Sequence, residues 1–171
     1  MKNLIIMAGL PGAGKSTIRK EYFGGYHIVD CDEIKKSLPG YDPDHPRALH
    51  AESKIVENLV LQDYMKKGVS FVYDTTATNT NKVVKMIQNA QKKGYKVLTV
   101  YVEVQLATAI ERNSNRHRVV PKEIILDKYM KLGQSLDAIK KFADMFVTIN
   151  NEDKHEFENI STHGLMSNLY E

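Results

Sequence analysis

The chain has 171 residues, 42% hydrophobic and 26% charged, with a formal net charge of +3 and one cysteine. That length suffices for one domain with its own core, and the charge is too mild to demand a nucleic-acid partner while leaving an anionic ligand open. The single Cys31 excludes an intramolecular disulfide, and the apolar run at residues 4–8 is too short for a signal peptide or a membrane span, so a cytoplasmic protein without a membrane is expected.

Short apolar runs alternate with helical stripes along the chain. Residues 3–8 read as a buried strand, 15–22 as a helix and 26–30 as a second strand. Residues 32–38 read as a brief helix stopped by Pro39 and Gly40. Residues 46–67 have no interior Gly or Pro, and Ile55, Leu59, Gln62 and Lys66 divide them into an apolar and a polar face, so one long helix ended by Gly68 is expected. Strands follow at 69–73, 96–102 and 145–149, with helices at 79–93, 105–113 and 121–142, the last with Pro121 in its first turn. The tail at 151–171 is polar and weakly patterned, with a final short helix as one option. No repeat, linker or domain boundary appears. The alternation predicts a single three-layer α/β/α domain with a parallel sheet of about five strands.

The spacing Gly9-x-x-x-x-Gly14-Lys15-Ser16 fits a phosphate loop, with a strand before it and a helix after it. Gly9, Gly12, Ala13 and Gly14 let main-chain N–H groups turn toward a phosphate, and the following helix adds the positive end of its dipole. Lys15 would reach the β- and γ-phosphates of a nucleotide, and the Ser16 hydroxyl, with Thr17 beside it, would meet Mg²⁺. An Asn-Lys-x-Asp guanine-reading element is absent; Asn81-Lys82-Val83-Val84 begins that way and lacks the acid. No motor-ATPase strand ending stands out, although Phe71-Val72-Tyr73-Asp74 comes near.

Strand tips at the C-terminal edge of a parallel sheet face the ligand crevice. The second strand ends Asp30-Cys31-Asp32 and the third ends Asp74-Thr75-Thr76. Asp32 fits a general base or a helix N-cap equally well, with Asp30 orienting it or assisting a metal. Asp74 fits a holder of Mg²⁺-bound water, a group that positions the acceptor, or another cap. Arg112, Arg116 and Arg118 crowd a stretch with little helical patterning, which reads as a lid at about 113–120 or as a solvated basic loop. The six histidines match no compact metal site, and Cys31, between two carboxylates, reads as a small core residue. Tyr41 is a candidate for acceptor contact.

Taken together, Gly9–Thr17, Asp30-Cys31-Asp32, Asp74-Thr75-Thr76 and Arg112-Asn113-Ser114-Asn115-Arg116 with Val120-Pro121 resemble the polynucleotide kinase and zeta toxin group of P-loop kinases over about residues 1–150. The resemblance is strongest to the 5′-hydroxyl kinase domain of bacteriophage polynucleotide kinase. It implies ATP and Mg²⁺ as cofactors, Asp32 as the base, Arg116 on the transferring phosphoryl group and Arg112 nearer the nucleotide. Asp30, Asp74 and Thr75 are then assigned to the substrate side. The family carries an arginine where this chain has Lys35, which keeps the charge of an acceptor contact and loses the planar fork. The length leads us to expect a kinase core without a phosphatase domain, and no obligate protein partner is evident. The acceptor expected first is a polynucleotide 5′-hydroxyl. A zeta-toxin-like kinase of a UDP-activated amino sugar or other small molecule is the alternative, and a nucleotide-dependent binding module without transfer is the third reading.

Overall fold

The computed structural model describes residues 1–45 and 47–153, so the short helix considered for the tail lies outside the described residues. The elements are β1 (Lys2–Ala8), α1 (Lys15–Phe23), β2 (His27–Asp30), α2 (Cys31–Ser37), α3 (His50–Lys67), β3 (Phe71–Asp74), α4 (Thr80–Lys92), β4 (Tyr95–Glu103), α5 (Leu106–Ser114), α6 (Lys122–Phe142) and β5 (Met145–Asn150). The five strands form one sheet in the order β2-β3-β1-β4-β5, and every pairing is parallel. Parallel neighbours require crossovers, which the intervening helices supply, giving the three-layer α/β/α arrangement. In the central strand, Leu4, Ile5, Ile6 and Met7 are all fully buried. Apolar layers on both faces explain why this strand reads as a run instead of an alternation.

The register levels the strand tips. Met7 pairs with Asp74, and Asp74 pairs with Asp30. The chain leaves β1 for β2 on one side and returns past β1 to reach β4 on the other. That reversal opens a crevice at the C-terminal ends of β1 and β3, where ligands of such sheets bind.

One helix departs from the sequence expectation. Residues 47–49 are not helical, because Leu49 takes a left-handed φ of 61° that interrupts the helical path before His50. The inward face of α3 also differs: Ser53, Glu57, Leu61 and Met65 are buried, while Ile55 is 61% and Leu59 59% exposed. Glu57 is 1% exposed, and its carboxylate accepts bonds from Lys54 at 3.2 Å and Lys82 at 2.8 Å. A paired charge can be buried where an unpaired one cannot, and here it displaces the two apolar side chains outward.

Candidate active site

The loop between β1 and α1 is shaped by contacts that leave no room for side chains. Gly12 has φ 87°, and a Cβ there would collide with the Ala109 carbonyl of α5. Gly14 has φ 93°, and a Cβ there would collide with the Asn151 side-chain amide, which donates to Ala13 O at 2.7 Å. Only glycine combines those torsions with those neighbours. Inside the loop Ala13 N donates to Leu10 O at 3.1 Å, and Thr17 N and Ile18 N each donate to Gly14 O at 3.2 Å. The first turn of α1 has no acidic residue and no side-chain cap, and Ser16 and Thr17 are exposed there. Its N–H groups and dipole therefore present positive potential without a protein carboxylate to answer it.

Lys15 folds across this loop, its Nζ donating to Gly9 O and Leu10 O at 3.0 Å each. Burial lowers its pKa, Asp74 opposes that shift, and Arg116 reinforces it. Lys15, Asp74 and Arg116 thus share one electrostatic neighbourhood.

The two strand-tip acids are bridged. A single nitrogen of the buried Arg19, on α1, donates to Asp30 Oδ2 at 2.9 Å and to Asp74 Oδ2 at 2.7 Å. Burial pushes the Asp74 carboxyl up, Lys15 and Arg19 pull it down, and Asp30 and Asp32 push it up. Asp30 also caps α2, its Oδ1 accepting from Asp32 N at 2.8 Å and Glu33 N at 3.4 Å. The cap reading of Asp32 is therefore replaced: Asp30 does that work. Asp74 is not a cap either, since Asn79 caps α4 through Lys82 N at 3.1 Å. Asp32 keeps a side chain 59% exposed, and its Oδ1 accepts from Arg118 at 3.0 Å. Thr75 links the tips, its N–H donating to Met7 O at 3.1 Å and its hydroxyl accepting from Ala77 N at 3.2 Å.

The basic stretch is an ordered loop. Helix α5 runs to Ser114, and the buried Asn113 side chain donates to Val120 O at 2.7 Å and accepts from Val120 N at 3.0 Å. Arg112 does not belong to that loop. It donates to Asn151 O and Glu152 O at 2.8 Å each and ties α5 to the chain leaving β5. The motif spacing singled out Arg112 and Arg116, and the structure adds Arg118, Arg19 and Asn151.

Lys35 is 2% exposed, with Nζ 3.3 Å from His50 Nδ1 between α2 and α3. Partial desolvation, then Lys35 and Lys54, hold the His50 pKa down, which suits a neutral ring beside an ammonium. A different cation lies over the crevice: Lys128 Nζ of α6 donates to Thr76 Oγ1 at 3.1 Å. Burial and then Lys54 lower the Lys128 pKa, and Asp32 opposes them. A groove of about 1220 Å³ between α5 and α6, lined by Tyr101, Glu103, Leu106, Tyr129, Met130 and Glu152 among others, includes none of Gly9, Gly12 and Gly14 and none of Asp30, Asp32 and Asp74, so it is a separate feature. Among the described residues no helix is long and apolar enough to cross a membrane.

A phosphate loop at the first turn of a parallel 2-3-1-4-5 sheet, with acids at the adjoining tips, defines a kinase-like P-loop protein. The zeta toxin family model matches residues 1–162, and the chain belongs to that family. It is 24% identical over 135 residues to the L-seryl-tRNA(Sec) kinase of Methanococcus maripaludis, covering 75% of this chain and 51% of that one. It is 26% identical over 144 residues to a protein of Autographa californica nuclear polyhedrosis virus named "Putative bifunctional polynucleotide kinase/RNA ligase", covering 76% of this chain and 21% of that one. The chain therefore spans about half or less of the curated relatives it matches. A structure from the PezAT chromosomal toxin–antitoxin system of Streptococcus pneumoniae matches with a TM-score of 0.70 at 18% identity, covering 99% of this chain and 78% of that one, which shows the shared fold.

Proposed function

We propose that the protein is a phosphotransferase that moves the γ-phosphoryl group of ATP to an alcohol oxygen of a phosphate-bearing acceptor, foremost a polynucleotide 5′-hydroxyl. The observation that carries this reading is the reach of one loop: Arg116 bears on Lys15 of the phosphate loop, and two residues later Arg118 bonds Asp32. Cradle and carboxylate thereby face one cleft.

In this reading the loop amides and Lys15 hold the ATP phosphates. Asp32 accepts the proton of the acceptor hydroxyl as its oxygen bonds to the γ-phosphorus and the bond to ADP breaks. Lys15 and Arg116 stabilise the charge spread over the moving oxygens. Arg19 offsets part of the negative charge of Asp30 and Asp74 at the tips, which reduces their repulsion of the nucleotide. Mg²⁺ fits the residues present, because that ion takes few protein ligands and the exposed Ser16 hydroxyl in the first turn of α1 would be one. When bound it supplies neutralisation of the phosphate oxygens.

Lys128 and Lys54 favour an acceptor that carries its own phosphate, and the viral relative supports a nucleic-acid end. The zeta toxin match favours a second reading, a sugar nucleotide as acceptor. Incubation with γ-labelled ATP, Mg²⁺ and either a 5′-hydroxyl oligonucleotide or a UDP-activated amino sugar decides between them. Label in the oligonucleotide is expected. Label in the sugar nucleotide alone moves the assignment to the second reading, and label in neither, with nucleotide bound, overturns both acceptor assignments.

A further inference from the structure

The bond between Arg118 and Asp32 joins residues 86 positions apart, across the cleft from the loop before α6 to the first turn of α2. Asp32 has no capping duty, because Asp30 Oδ1 takes the amides of Asp32 and Glu33. Its carboxylate is thus oriented by Arg118 at Oδ1, leaving Oδ2 to receive a proton. Side chains 29% and 59% exposed form a pair that adds little to folding, so its main effect is on where the carboxylate points. The guanidinium is presented from a loop that Asn113 pins to Val120 at both amide atoms, so it is not swinging on a free tether.

The geometry points to Arg118 as a positioning residue that sets the Asp32 carboxylate and makes its orientation depend on docking of the 115–120 loop against α2. This rests on the reading of Asp32 as the base. The same loop carries Arg118, bonded to Asp32, and Arg116, in the electrostatic neighbourhood of Lys15, so one segment serves both the base and the phosphate loop. The hydroxyl proton passes to Asp32 as the new O–P bond forms. Arg118 keeps its own protons throughout and touches neither reacting atom.

The test is a kinetic cycle with γ-labelled ATP and the acceptor that takes label above, using Arg118→Gln, Arg118→Lys, Asp32→Asn and the double variant Asp32→Asn with Arg118→Gln. Arg118→Gln is expected to lower kcat about 100-fold, with the KM for ATP within twofold of the wild type. Arg118→Lys is expected to recover a third or more of the lost rate. The double variant is expected to be no slower than Asp32→Asn alone, because the two residues act as one unit. A further 100-fold loss on top of Asp32→Asn, or a raised KM for ATP, would place Arg118 on the phosphates and overturn the proposal. A kcat unchanged or raised in Arg118→Gln would make the pair irrelevant or obstructive and also overturn it. Wild-type rates in Asp32→Asn would instead defeat the base assignment itself. Amide hydrogen exchange needs no acceptor: faster exchange over 115–120 in Arg118→Gln and in Asp32→Asn is expected, and unchanged exchange in these two overturns the coupling.

Discussion

Between β1 and α1 the chain holds its shape through main chain: Gly12 lies against the Ala109 carbonyl, Gly14 lies against the Asn151 amide, and Lys15 bonds two loop carbonyls. Across the crevice, α2, α3, α4 and the loop before α6 are held by charged side chains: Arg118 on Asp32, Lys54 and Lys82 on Glu57, Lys35 beside His50. A wall of backbone suits the phosphates of the proposed donor and leaves no room for a side chain at Gly12 or Gly14. A wall of side chains can be retuned for a different acceptor by single charge changes, at some cost in stability. The difference matches a division of labour in which the donor is fixed and the acceptor varies.

Four substitutions test that division, beginning with the largest effect. Asp32→Asn should lower kcat about 1000-fold while equilibrium titration finds ATP affinity unchanged; weakened nucleotide binding would mean that the two walls are not separable. Gly12→Ala should cost about 3 kcal/mol through its positive φ and the Ala109 collision, read by urea denaturation, and should abolish nucleotide binding in the protein that remains folded. Glu57→Gln should cost about 2 kcal/mol, because two partly exposed ammonium groups lose one buried carboxylate, while ATP affinity stays within twofold. The smallest effect belongs to His50. Its folded pKa lies below the ordinary 6.5, so the unfolded chain binds more protons. The stability it contributes is therefore present above that value and lost as pH falls through it toward the folded pKa. His50→Gln should flatten the fall of the urea midpoint over about pH 7 to 5, and an unchanged slope would show that the ring is not desolvated.

The donor wall was legible in the sequence because its causes are local. A fully buried strand, three glycines at fixed offsets and a helix start all lie within residues 2–23. The acceptor wall was legible only in part. Period 3.6 placed a helix over most of 46–67 yet could not say that Glu57 faces inward, since one of its two cations, Lys82, is 25 residues away. Asp30 and Asp32 both precede the same helix, and only the extended φ of −135° at Asp30, with its carboxylate on two amides, separates cap from free acid. Arg118 was seen as one of three arginines, but α5 ends at Ser114, so helical spacing gave no guide to where it points. The burial of Lys35 was not legible, because nothing near it in sequence reveals that His50 will lie against it.

The clasp of Asn151 on Ala13 spans 138 positions, and Arg112 secures Asn151 and Glu152 in turn. A turn near residue 13 is thus braced from behind by the segment that follows the fifth strand. A chain cut before residue 151 would keep its glycine-rich turn and lose that brace, so on the proposed reading its grip on nucleotide would be weaker than that of the uncut chain.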